Sequence, residues 1–297
     1  MNITRISLIS SINSNLFTQS KKIDQTNQSV NSQSIPFSYY PVFKGTTNYI
    51  AGLKDYTPEE YNKLSPDYID KLRKEYEETM YADPEEEAEN KLTEEIHDVA
   101  SDIIIDSLND EYGEDNWVVI SLGRSPASIV NVIGYKVGAD KAKHLPMTRA
   151  TRFAGKNSVE ALENTKELSD LKDYLSSIGL GVDEVTESNK HYVLVDYCAS
   201  GMSLFGGYNL LNSELLYNDN PRVHSRSLVS LIPADNPQNF ILEDAFHFGK
   251  FKFYSGIKKC YSLSDTKDSF CKPEEVSLKD NLMRFRLLDN AMKARSN

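Results

Sequence analysis

Long apolar runs are missing. No uncharged apolar run in the 297 residues approaches the ~18 a membrane-spanning helix requires, so no such helix and no membrane partner is expected. The opening segment, residues 3–12, breaks its isoleucines and leucine with serines and does not form a signal-peptide core. Cysteine is scarce: Cys198, Cys260 and Cys271 are too few and too dispersed for a disulfide framework or a CxxC zinc site, which points to a reducing, cytoplasmic compartment. The five histidines (His97, His144, His191, His224, His247) show no metal-ligand spacing. GxSxG, GxxxxGK[ST] and GxGxxG patterns do not occur, and no basic stripe supports nucleic-acid binding.

Charge is unevenly placed. Of the net −11, residues 1–50 contribute +3, residues 51–115 contribute −16 and residues 116–297 contribute +2. The long C-terminal part is therefore electrostatically compatible with a small phosphorylated substrate. Within residues 1–40, 21 are Ser, Thr, Asn or Gln, too polar a stretch to bury enough surface to offset its conformational entropy. Three regions follow from this partition: a disordered polar tail over 1–45, an acidic helical extension over 46–94 and an α/β domain over 95–297. A small aromatic patch (Phe37, Tyr39, Tyr40, Val42, Phe43) ends the tail.

Thr57-Pro58-Glu59-Glu60 and Ser65-Pro66-Asp67 each set a capping hydroxyl before a proline and first-turn carboxylates, which predicts two helix starts. A third helix is expected over 84–108, with Ile96, Val99, Ala100, Ile103, Ile104 and Leu108 as an apolar stripe and its acidic first turns facing solvent. Beyond it the pattern alternates: strand 117–122, helix 126–137, strand 144–147, helix 158–178, strand 192–196, helix 203–216 and strand 225–232. Irregular strands over 246–261 and a terminal helix, with Ser277 and Asp280 at capping-box spacing, complete the chain. Such alternation predicts an α/β fold with a mostly parallel twisted sheet covered by helices on both faces.

Two strand-to-helix junctions carry the chemistry. Leu122-Gly123-Arg124-Ser125-Pro126 ends a buried strand in a tight turn, with Ser125 placed to cap and Pro126 at the first helical position. The amides of such a helix start, with an arginine beside them, suit an anion. Val193-Leu194-Val195-Asp196 ends a second strand in a carboxylate, and Ala199-Ser200-Gly201-Met202-Ser203 then opens a helix through small side chains. Each junction read by itself is equally an ordinary capped turn.

Together the two junctions resemble the type I phosphoribosyltransferase family over roughly residues 95–235. Val193 to Ser203 is similar to that family's signature of apolar strand, paired acidic residues, small-residue phosphate loop and helix. Asp196 falls on the second acidic position, while Val195 stands at the first. The resemblance implies a phosphoribosyltransferase-like fold and transfer of phosphoribosyl from 5-phosphoribosyl 1-diphosphate to a nitrogen acceptor, with pyrophosphate released. It implies that magnesium arrives with the diphosphate and that Asp196 holds the ribose hydroxyls. The loop Ala199, Ser200, Gly201, Met202 and Ser203 would hold the 5-phosphate. Gly123, Arg124 and Ser125 would bind the diphosphate under a basic closing loop carrying Arg149, Arg152 and Lys156. Two further readings stand beside it: a non-catalytic module that binds a nucleotide or sugar phosphate, and an interaction scaffold. A homodimer and a protein partner for the acidic helices are open expectations.

Overall fold

The computed structural model describes residues 56–230 and 278–296, except 124, 146, 148, 149, 199 and 200. The polar tail, the aromatic patch at 37–43 and the expected strands over 246–261 lie outside the described residues.

Three short-range capping arrangements open the fold. Thr57 and Glu60 form a reciprocal capping box on α1 (Pro58–Tyr61), Ser65 Oγ accepts from Tyr68 N at 3.3 Å on α2 (Pro66–Met80), and Asp83 accepts from the amides of Glu85 and Glu86 on α3 (Pro84–Tyr112). α3 runs unbroken through the 94/95 boundary that composition suggested, and the described residues fall within one unit. It also continues four residues past Leu108. Asn109 accepts from the Trp117 indole at 2.9 Å, and Gly113, at φ +85°, ends the helix.

Four strands follow: β1 (Trp117–Leu122), β2 (Ala142–Leu145), β3 (His191–Cys198) and β4 (Val223–Ser230). They form an all-parallel sheet in the order β2-β1-β3-β4. Helix α4 (Ala127–Val137) connects β1 to β2. Three short helices, α5 (Lys156–Glu160), α6 (Lys166–Ser177) and α7 (Val182–Thr186), lie between β2 and β3, and α8 (Met202–Leu211) connects β3 to β4.

Alternating side chains divide the core. Val118, Ile120, Leu122 and Leu194 face α6 and α8, packing on Leu168, Leu171, Leu175, Leu204, Leu210 and Leu211. Trp117, Val119, Val193, Val195 and Leu228 face the opposite way, onto Ala100, Ile104 and Leu108 of α3 and Ile129, Val130 and Ile133 of α4. Helices on both faces explain why β1 is buried at all six positions and reads as a continuous apolar run. Among the described residues, no helix is long and apolar enough to cross a membrane.

Two helical segments are shorter than their apolar patterns suggest. The stretch 158–178 is split between α5 and α6 by a turn in which Asn164 takes φ 60° and Thr165 caps the new helix. α8 stops at Leu211 rather than 216. Asn218 and Asp219 take positive φ there, and Tyr217 turns inward to donate to Leu180 O at 2.8 Å.

The C-terminal helix α9 (Leu278–Ser296) packs against α2, α3 and α4 through two buried carboxylates. Glu94 accepts from Tyr76 and Tyr81 hydroxyls at 2.7 Å each and from Arg286 Nε at 2.8 Å. Asp289, fully buried, accepts from Tyr61 at 2.6 Å, from the Arg73 guanidinium and from Lys293 at 2.8 Å. Burial alone would raise both carboxyls. The hydrogen bonds, led by Arg286 for Glu94 and Arg73 for Asp289, outweigh it and hold both below their ordinary values. The pairs Lys279–Glu86 and Lys136–Asp98 also tie α3 to α9 and α4, so part of the negative charge of residues 51–115 is neutralised within the chain.

Arg286→Met leaves Glu94 buried without its cation and is expected to cost about 3–5 kcal/mol in urea unfolding, whereas Lys74→Met, which breaks an exposed pair, costs under about 1 kcal/mol. Because both folded carboxyl values are depressed, their contribution is complete above the unfolded values of 4.5 and 3.8 and is lost as pH falls below them.

Candidate functional site

The chain leaves β1 toward β2 on one side and leaves β3 toward β4 on the other, although β1 and β3 are neighbours. That reversal marks the place, at the carboxyl ends of the two central strands, where open α/β sheets form a ligand-binding crevice. The register pairs Ser121 with Val195, so β1 ends level with Asp196, and β3, which runs two residues past the expected end to Cys198, finishes at the same edge. Gly123, Ser125, Asp196, Gly201, Met202 and Ser203 are thereby gathered at that edge. Arg124, Arg149, Ala199 and Ser200 lie outside the described residues.

Gly123 takes φ +77°, and its N–H donates to Leu145 O at 2.8 Å, which ties the first turn to β2. Contrary to the sequence reading, Ser125 does not cap α4. The cap position is Pro126, with helical φ and ψ and no side-chain hydrogen bond. Gly201, at φ 73°, holds the same position for α8, also without a side-chain cap. Thr57, Ser65, Asp83 and Thr165 cap their helices with side chains, whereas the cap residues Pro126 and Gly201 of the two helices that open at the crevice make no side-chain bond to first-turn amides. Those amides and the positive end of each helix dipole suit an anion.

Asp196 lies in β3, two residues before the strand ends. Its Oδ1 accepts from the Tyr197 amide at 2.8 Å, and a bulge separates it from Tyr197 in the pairing with β4, where Asp196 faces Ser227 and Tyr197 faces Val229. Burial pushes its carboxyl up to about 7, and the Tyr197 hydrogen bond lowers it only partly. A carboxylate poised near neutrality at a sheet edge can exchange a proton or accept from a hydroxyl. Val195, at the preceding position, is fully buried in the apolar layer against α3 and α4.

The basic segment is not a free arm at its centre. Residues 150–154 form a short 3-10 turn with Ala150 and Phe153 buried. Arg152 lies over the Phe153 ring at 4.6 Å and pairs with Glu167 at 3.7 Å. This turn packs on α8 because Gly206 has no side chain: a Cβ there would strike the Ala150 backbone. Gly207 in turn lets α8 settle on the sheet, since a Cβ would meet Leu122 Cδ2 at 2.9 Å. Lys156 opens α5. Met202 and Phe205 are the exposed large apolar side chains among the described residues, and both stand at the start of α8.

Two histidines that sequence spacing did not connect to the site, the buried His97 and the half-buried His144, support its first turn. Ser121 Oγ donates to His144 Nδ1 at 2.7 Å, and His144 Nε2 donates to Asn131 Oδ1 at 2.8 Å, joining β1, β2 and α4 beneath Gly123. His97 Nδ1 donates to Thr93 O, and its Nε2 accepts from Ser128 Oγ, both at 2.7 Å, which fixes the start of α4 to α3. Burial pushes both imidazoles down to about 4, so both are neutral at pH 7. The one available signal was polarity at Ser121 and Ser128 within apolar segments.

Among the described residues, no group of three or more His, Cys, Asp and Glu side chains is placed to hold a metal ion. No protein-family model, curated protein or solved structure matches the chain.

Gly206→Ala is expected to destabilise the protein by about 1–3 kcal/mol or more in denaturant unfolding, because the obstacle is backbone. Gly155→Ala, whose Cβ meets nothing closer than Ser158 Oγ at 3.9 Å, is expected to be near neutral. Asp196 binds its proton more tightly folded than unfolded, so stability falls as pH rises from 3.8 through about 7. Asp196→Asn is therefore expected to melt higher than the parent at pH 8, with ~1 kcal/mol appearing as roughly 2–4 °C, and to match it near pH 4.

Proposed function

We propose that the crevice between the β1 and β3 turns binds a small phosphorylated sugar and that the chain is a phosphoribosyltransferase-like enzyme. It would transfer phosphoribosyl from 5-phosphoribosyl 1-diphosphate to a nitrogen acceptor. One observation carries the reading: two helix starts without side-chain caps follow neighbouring parallel strands at the reversal point, with the desolvated Asp196 near the carboxyl end of one of them. Two anion sites separated by a carboxylate match a ligand with phosphate at both ends and hydroxyls in the middle.

In this reading the 201–203 turn anchors the 5-phosphate, remote from the bond that breaks, and the Gly123–Ser125 turn receives the diphosphate. Asp196 accepts from the ribose hydroxyls and faces the positive charge that develops on the ring as the C1–O bond to pyrophosphate lengthens. The nitrogen acceptor supplies the electron pair for the new bond, and its proton passes to solvent or to Asp196. Magnesium enters only as the counter-ion of the diphosphate substrate.

A second reading keeps the pocket and drops the chemistry: a sensor of the same sugar phosphate. Val195 favours it, because the position that carries an acidic residue in the signature here points into the apolar layer.

Melting of the full chain with 5-phosphoribosyl 1-diphosphate and magnesium checks the pocket, since saturation at ~100 times the dissociation constant adds roughly 2.7 kcal/mol. Ribose 5-phosphate alone is expected to shift less. Pyrophosphate release across a panel of purine, pyrimidine and pyridine acceptors separates enzyme from sensor. Asp196→Asn should then lose turnover at least ~100-fold while retaining the melting shift. No shift with any of these anions rejects both readings.

A further inference from the structure

At the other edge of the sheet, the last turn of α3 is clasped to the first residues of three strands. Asn109 holds the Trp117 indole of β1. Glu111 is paired with Arg226 of β4 at 2.5 Å, and the Tyr112 hydroxyl accepts from the same guanidinium at 3.3 Å. The Tyr112 ring lies over two imidazoles, His191 of β3 and His224 of β4, with centroids 4.2 and 5.2 Å away and planes within 13° and 18°. None of these groups belongs to the crevice.

The two imidazoles are tied to each other. His191 Nδ1 is 2.9 Å from His224 Nε2, the rings are 16° from coplanar, and their centroids are 5.2 Å apart. Nitrogens that close, between rings that distant, face each other along the line joining the rings, and such a gap holds a proton. Two in-line metal bonds of about 2.0–2.1 Å each would not fit it.

Proton counting then limits the pair. With both rings neutral, one facing nitrogen donates and the other accepts. One added proton goes to an outward nitrogen, and the N–H···N bond survives in charge-assisted form. A second proton places N–H against N–H, and the rings must part. The Tyr112 ring rests on both, so parting removes its platform.

We propose that the His191–His224 pair is an acid-sensitive latch that holds the end of α3 to the sheet until both imidazoles are charged. The groups facing it are Glu111 and Tyr112 from α3, Arg226 from β4 and Arg222 from the turn before β4; Trp117 on β1 is uncharged. Burial first and Arg222 second depress His191. Burial, His191 and Arg226 depress His224, and Glu111 opposes both shifts. Both folded values thus lie below the free value of 6.5, so the latch's contribution is complete above that pH and declines as pH falls below it.

Trp117 is the chain's one tryptophan and is bonded to the same helical turn, so its emission reports the latch. The full chain, titrated from pH 8 toward pH 4.5, is expected to show a reversible emission change below pH ~6.5 that precedes loss of far-ultraviolet ellipticity. His224→Gln keeps an amide that can bond His191 but takes no proton. It is expected to remove that transition or to shift it down by at least ~1 pH unit. An identical transition in the variant, or no transition in the parent, overturns the proposal. Imidazole nitrogen NMR of the parent decides the matter even if the variant fails to fold. The latch requires the two rings to titrate in separate steps, the second depressed relative to the first; independent titration of both near pH 6.5 rejects it.

Discussion

Everything at the candidate site depends on parallel pairing of β1 with β3. Parallel neighbours cannot be joined by a tight turn, so each needs a crossover. Because one crossover runs to β2 and the other to β4, α4 and α8 cover opposite faces of the sheet. Their first turns nevertheless remain at one edge. The crevice is a consequence of that topology, and the chemistry of Gly123, Asp196 and Gly201 is placed by it.

Rigidity on the two faces has different sources. On the α8 face it comes from close approach: Gly206 and Gly207 let a helix sit on a 3-10 turn and on Leu122 and Leu194 without intervening side chains. On the α4 face it comes from buried hydrogen bonds, with His97 and His144 each held neutral and joined to a serine. Neutral buried imidazoles cost stability in acid, since the unfolded chain gains protons that the folded one refuses. Asp196 carries the opposite liability, being less stable as its proton leaves. The site is thus assembled from groups whose preferred ionisation is overridden by burial, a pattern common where side chains must be held for binding or catalysis.

The acidic extension belongs to the body of the fold. Glu94 and Asp289 exchange partners between α2, α3 and α9, so helices from the two ends of the described chain share two polar centres. Such centres are satisfied only in one arrangement, which sets the relative position of the helices more narrowly than apolar contact would. Residues 84–112 then serve twice, with α3 sealing one face of the sheet and its last turn clasping three strands.

What could be read without coordinates was local. Thr57 and Ser65 act on amides a few residues away, and the run from Trp117 to Leu122 announces a strand covered on both faces, so their roles were legible in order. The position of Gly123 at a strand end was legible for the same reason, whereas β3 runs two residues beyond Asp196 to Cys198. The splitting of 158–178 and the early end of α8 were not, because Asn164 and the inward Tyr217 answer to tertiary contacts. Strand order was likewise hidden, and with it the adjacency of the two turns, the desolvation of Asp196, the attachment of Arg152 to Glu167 and the meeting of His191 with His224. These depend on which segments, tens of residues apart, share a hydrogen-bonding edge, and that is decided by packing of the whole core.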